Sequence, residues 1–130
     1  VVKKMTERWT ANQYRNYKNK KHKYNAKKVE IDGIAFDSQK EANYYCQLKL
    51  MKQAGEIRDF TLQPKYELQP GFTKNGKKIR PITYIADFLI TYNDGSTEIV
   101  DIKGMETKDF KLKKKMFDYR YPNLKLTVRK

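Results

Sequence analysis

Two apolar runs separated by Asn93-Asp94-Gly95 constrain this chain more than any other feature. Residues 79–92 (IRPITYIADFLITY) and 96–103 (STEIVDIK) are rich in β-branched and aromatic residues, the composition of strands. The tripeptide between them predicts a hairpin with a three-residue loop, in which Gly95 takes the left-handed backbone conformation. That loop length sets the register: Tyr92 faces Ser96, and Asp87 falls directly opposite Asp101. A two-residue Asp94-Gly95 turn would break the alignment. Side chains two apart on a strand share a face, so Asp101 and Lys103 point the same way as Asp87 while Glu98 points to the other side.

Opposed carboxylates about 5 Å apart repel each other, and unpaired acids between apolar neighbours are costly. A cation must compensate. Hard Mg2+ or Mn2+ prefers carboxylate, carbonyl and water oxygens, and keeps several waters when only one or two carboxylates hold it. Asp87 and Asp101 would supply two ligands and the Ile102 backbone carbonyl a third. A bound metal acidifies a water and offsets charge building on a phosphate oxygen, and the Lys103 ammonium orients that water or stabilises the same charge. The plain alternative is a surface ion pair between Asp101 and Lys103 on an edge strand, which contributes little. The apolar residues on both sides of Asp87 weigh against it.

Further elements surround the hairpin. Residues 38–54 (SQKEANYYCQLKLMKQA) predict a helix, with Ser38 as cap, Glu41 three residues later and Gly55 as the stop. A strand is expected over 57–68, then the two strands above, a second helix over 107–120 and a last strand over 124–128. The order is αβββαβ. With that order the chain resembles the PD-(D/E)XK nuclease superfamily, whose restriction-endonuclease-like α/β core has a mixed central sheet and carries its acids on the second and third strands. The passages FDSQKEA, LQPKYELQPGF, ITYIADF, VDIKG and KLKKKMFDYRYP carry a closer resemblance. They are similar to a phage and prophage family of small PD-(D/E)XK proteins associated with replication and recombination, related to Holliday junction resolvases.

The resemblance implies Asp87 as the first motif acid, with Ala86 in place of the proline, Asp101 as the second acid and Lys103 as the motif lysine. It implies that Glu41, an acid on the first helix, reaches the metal, often through water. Ser38-x-x-Glu41 is also a capping box, and the two roles can coexist. It implies an Mg2+- or Mn2+-dependent DNA endonuclease of phage recombination or replication, selective for branched DNA or a Holliday junction and placed in the cytoplasm of a bacterial host. A homodimer would set two sites on two strands.

Residues 27–130 are expected to form the nuclease-like domain, with residues 27–36 (KKVEIDGIAF) as an added hairpin turning at Asp32-Gly33. Residues 1–26 are expected to be a basic arm, or a short helix followed by an arm. A formal charge of +14 over 130 residues points to a polyanionic partner. In the first 28 residues ten Lys or Arg face the single acid Glu7, interleaved with Trp9, Tyr14, Tyr17 and Tyr24. Lys18, Lys20, Lys21, Lys23, Lys27 and Lys28 there suit phosphates, and the aromatics suit exposed bases. Residues 71–78 (GFTKNGKK) predict a basic loop carrying Lys77 and Lys78, and Lys111 and Lys115 share a face of the second helix. The Lys111 and Lys115 face is equally at home in solvent, whereas the aromatics between the charges of the arm favour contact with DNA. A non-catalytic DNA- or RNA-binding protein with a nuclease-like fold suits the charge as well.

Other chemistries find little support. His22 is the sole histidine and lies in the arm, no Cys/His set can hold zinc, and no Gly-rich loop follows a strand. Cys46, the one cysteine, sits among apolar helix residues, which suggests a buried thiol in a reducing interior. No apolar run is long enough to cross a membrane, and a soluble protein is expected.

Overall fold

The long apolar runs do not form long strands. In the computed structural model, which describes residues 28–130, the run over 79–92 is divided among β6 (Lys77–Ile79), β7 (Ile82–Ile85) and β8 (Phe88–Thr91). The strand expected over 57–68 is likewise two, β3 (Asp59–Leu62) and β4 (Lys65–Gln69). Proline explains two of the breaks: Pro64 and Pro81 have no N–H to donate to a ladder. Gln63, before Pro64, also takes a left-handed φ of 49°. The basic loop expected over 71–78 is a hairpin, β5 (Phe72–Lys74) with β6, whose Asn75-Gly76 turn has φ of 52° and 75°. The arm expected over residues 1–26, together with Lys18, Lys20, Lys21, Lys23 and Lys27, lies outside the described residues.

The chain divides into two compact units, one ending at Asn43 and one running from Tyr44 to Lys130. In the first, β1 (Val29–Ile31) and β2 (Ile34–Phe36) pair antiparallel with Ile31 opposite Ile34, around the Asp32-Gly33 turn the sequence predicts. Helix α1 (Gln39–Gln53) then begins with a reciprocal cap: the Glu41 N–H donates to Ser38 Oγ at 3.1 Å, and the Asp37 N–H donates to Glu41 Oε2 at 3.0 Å. One orphan donor of the first turn, the Glu41 N–H, is thereby satisfied, and the Asp37 N–H just ahead of the cap is held as well. The helix closes in the second unit, where the Gly55 N–H donates to the Lys52 carbonyl and the Glu56 N–H to that of Met51. This Schellman closure needs a left-handed residue, and Gly55 has φ of 77°. Cys46 is half-buried, not fully enclosed.

The second unit is built on a mixed four-stranded sheet in the order β10-β9-β8-β3, with β9 (Thr97–Ile102) and β10 (Leu126–Arg129) parallel and the other neighbours antiparallel. Phe88 lies opposite Val100 and Thr91 opposite Thr97. That is the register of the three-residue loop: Tyr92 N–H donates to the Ser96 carbonyl, and Gly95, at φ 90°, donates to that of Tyr92. Arg58 and Gly55 hold the loop through Asn93, at 2.8 Å each.

The ribbon of β3-β4 paired with β7-β8 turns over at Gln63-Pro64 and Ala86-Asp87. Pairing persists through the turn, with Gln63 N–H on the Asp87 carbonyl and Ala86 N–H on that of Pro64. The faces do not persist. On β3 and β8, Phe60 and Phe88 meet Tyr45 and Tyr44 of α1, whereas on β4 and β7, Leu68, Tyr84 and Ala86 join Ile99 in a core closed by Phe110 and Phe117 of α2 (Lys108–Arg120). Tyr84 and Asp87, three residues apart, consequently face the same side.

Helix α2 starts where the sequence places it, with the Phe110 N–H donating to Thr107 Oγ1 at 3.1 Å. Thr107→Ala removes that cap and is expected to cost about 1 kcal/mol. A lower urea midpoint at unchanged m-value is the expected result.

Candidate active site

Asp101 is the one buried charged side chain among the described residues, with 1% of its surface exposed. It lies on β9 and faces α2. Tyr84 OH donates to its Oδ2. Its Oδ1 has no hydrogen-bond partner, and the nearest cation is Lys103 Nζ at 3.6 Å, an ion-pair distance outside hydrogen-bond range. Buried acceptors are nearly always satisfied, so this carboxylate oxygen calls for a partner: a proton shared with Asp87, a water or a cation would each supply one.

Asp87 sits at the bend before β8, and is half-buried. The register that sets Phe88 against Val100 brings it opposite Asp101, where its Oδ2 accepts the Ile102 N–H at 2.7 Å. Along β9 the N–H groups of Ile99 and Lys103 turn to the β10 side, which leaves the Ile102 N–H and C=O directed to the Asp87 side. Two carboxyls thus meet, with the Ile102 carbonyl directed to the same side of the strand. Glu98, on the opposite face, bonds to Tyr92 OH and Thr127 Oγ1 and takes no part.

Electrostatics agree with that geometry. Burial pushes the Asp101 carboxyl up to about 6. The Tyr84 hydrogen bond opposes the rise, the Asp87 carboxyl, near enough to share a proton, adds to it, and Lys103 works against it. Tyr84 itself is raised, by burial first and then by its bond to Asp101. Lys103 packs its ammonium 4.9 Å from the centre of the Phe110 ring and stays one-third exposed, so it can reach a bound anion.

A hard divalent cation fits this donor set. It would meet the orphan Oδ1, displace the shared proton and relieve the repulsion between the two acids. Asp87, Asp101 and the Ile102 carbonyl would hold it. Among the described residues no group of three or more His, Cys, Asp and Glu side chains is gathered, so waters or a substrate phosphate would complete the shell. Glu41 belongs to the first unit, and there its carboxylate serves the helix cap.

The basic residues are spread over the surface. Lys28, Lys77, Lys78, Lys111 and Lys115 are all exposed. Lys114 is committed to Asp118 at 3.0 Å and Arg120 to Glu67 at 3.3 Å. Among the described residues, no helix is long and apolar enough to cross a membrane.

The model of DUF1064, described as a protein of unknown function, matches residues 21–130. This chain belongs to the DUF1064 family. No curated protein and no solved structure matches it. For this DUF1064 chain the residue that sequence reasoning missed is Tyr84. Two-residue alternation places it on the face away from Asp87, and only the turning over of the ribbon brings both to Asp101. The signal present in the sequence was Gln63-Pro64 in the partner strand, which marks the bend.

Tyr84→Phe removes the donor that favours ionised Asp101, so the Asp101 carboxyl should titrate above about 6. Mn2+ affinity should therefore drop at pH 6 and approach the parent value at pH 8. Unchanged affinity at pH 6 would rule out this role.

Proposed function

We propose that this protein is a metal-dependent DNA endonuclease of PD-(D/E)XK type with a restriction-endonuclease-like core. The observation that carries the proposal is the buried Asp101 carboxylate with its orphan Oδ1, set against Asp87 and beside Lys103. A structural ion pair does not call for a second carboxyl against the first, nor for a buried oxygen with no donor. The order of the principal elements supports the same proposal: helix, two bent strands, a straight strand, helix and a final strand.

Each residue has a role in this scheme. When bound, Mg2+ or Mn2+ supplies Lewis acidity toward a phosphate oxygen and lowers the pKa of water. Asp87 and Asp101 would hold the cation, and Tyr84, bonded to Oδ2, would fix the Asp101 carboxylate with Oδ1 left for the metal. Lys103 donates to a non-bridging phosphate oxygen, where charge grows as the P–O bond to the leaving group breaks. The net charge of +14 draws the polyanion to the surface. Branched DNA, including a four-way junction, is the proposed substrate, as the resemblance to junction resolvases implies, and a homodimer would deliver paired incisions.

A second proposal, a DNA- or RNA-binding protein without catalysis, is supported by the net charge of +14, which suits a polyanion with or without cutting. The two separate in a cleavage panel of linear, flapped, forked and four-way DNA with Mg2+, Mn2+ and a chelator. The nuclease predicts cutting of the branched forms that the chelator abolishes. Binding to all forms with no product under any metal would establish the second proposal instead.

A further inference from the structure

An open groove of about 540 Å³ lies between β7 and α2 and is lined in part by Lys103, whose Nζ is 3.6 Å from Asp101 Oδ1. Its chemistry is divided. Ile82, Ile85 and Leu112 line it while 37%, 49% and 60% exposed, so apolar surface is presented to water. Lys103 and Lys113 line the same groove, and Asp109 is the one acidic residue among its lining.

We propose that this groove holds an unpaired nucleobase of the strand whose phosphate lies at Lys103. The proposal rests on the nuclease assignment and narrows its substrate to DNA with a single-stranded segment beside the cut. A B-form duplex offers phosphates to the two lysines, but its bases are stacked on one another and leave the apolar walls bare. A free base has two apolar faces to cover Ile82, Ile85 and Leu112, and its phosphates meet the cations. An apolar peptide would cover the walls too, yet it would bring no anion to Lys103 and Lys113. The carboxylate of Asp109 can accept from the base edge, where an exocyclic amino group or a ring N–H such as that of thymine donates.

The test uses the whole chain carrying Ile82→Ser and Leu112→Ser, two exposed positions whose replacement leaves the buried core intact. Fluorescence anisotropy, in chelator so that no cutting intervenes, measures affinity for oligothymidylate and for a blunt duplex hairpin at one salt concentration. Oligothymidylate affinity should fall about tenfold and duplex affinity should stay within about twofold. No change for oligothymidylate, or an equal fall for both probes, overturns the proposal. Since binding is read without cleavage, a selective fall in a protein that cuts no DNA under Mg2+ or Mn2+ would support the base groove while removing the nuclease assignment.

Discussion

Asp101→Asn is expected to lower Mg2+-dependent DNA cleavage by about a thousandfold or more while leaving the fold and DNA binding in place. Asparagine is nearly isosteric, and its carbonyl oxygen can still accept from Tyr84 OH. What it loses is the negative charge at the orphan position. Lewis-acid stabilisation of a phosphoryl transition state contributes several kcal/mol, and each 1.36 kcal/mol is tenfold in rate. Asp87→Asn should act the same way, because its amide oxygen can keep the Ile102 N–H while the charge is gone. Single-turnover cutting of a labelled four-way junction measures the loss. Anisotropy on the same junction in chelator should find affinities within about twofold, since the exposed lysines are untouched. Full activity in either variant refutes the assignment.

The second large effect is on stability, and its sign follows from titration. Asp101 is raised from an ordinary 3.8 to about 6, so without metal the folded chain holds this proton more tightly than the unfolded chain does. The resulting stabilisation is complete below about pH 4 and is lost as pH rises through about 6. At pH 8 the ionised, buried carboxylate costs the metal-free fold on the order of 2–3 kcal/mol. Asp101→Asn removes that cost, and its amide can donate toward Asp87. In chelator at pH 8 the variant should melt about 5–10 °C above the parent, and the gap should close at pH 4, where parent Asp101 is protonated. Excess Mg2+ should raise the parent's melting temperature at pH 8 and leave the variant unmoved. A variant that melts below the parent at pH 8 would mean that the carboxylate pair is a structural ion-pair network and not a cation site.

The hairpin and the helix ends were the legible parts of this chain, because each rests on local chemistry. Asn93-Asp94-Gly95 determines a loop length, the loop length determines a register, and the register sets Asp87 against Asp101 without reference to the rest of the molecule. Ser38, Gly55 and Thr107 mark helix ends by the hydrogen bonds their positions need. Strand continuity was not legible in the same way. An apolar run such as residues 79–92 looks alike whether it stays flat or turns over, since either course buries one residue in two. The turn at Ala86-Asp87 is set by the neighbouring strand, where Gln63 and Pro64 bend, and its consequence is Tyr84. Glu41 illustrates a different limit, because a glutamate three residues after a serine satisfies a helix cap wherever it occurs, so its pattern cannot separate capping from metal binding.

The proposed cation site at Asp87 and Asp101 is open to direct measurement. Mn2+ titration of the full chain at pH 7.5, followed by the electron paramagnetic resonance of the free ion, addresses it without any substrate. The parent should take up one tight Mn2+ per chain, competed by Mg2+, and both Asp87→Asn and Asp101→Asn should lose it. Equal uptake by Asp101→Asn and the parent would contradict the account.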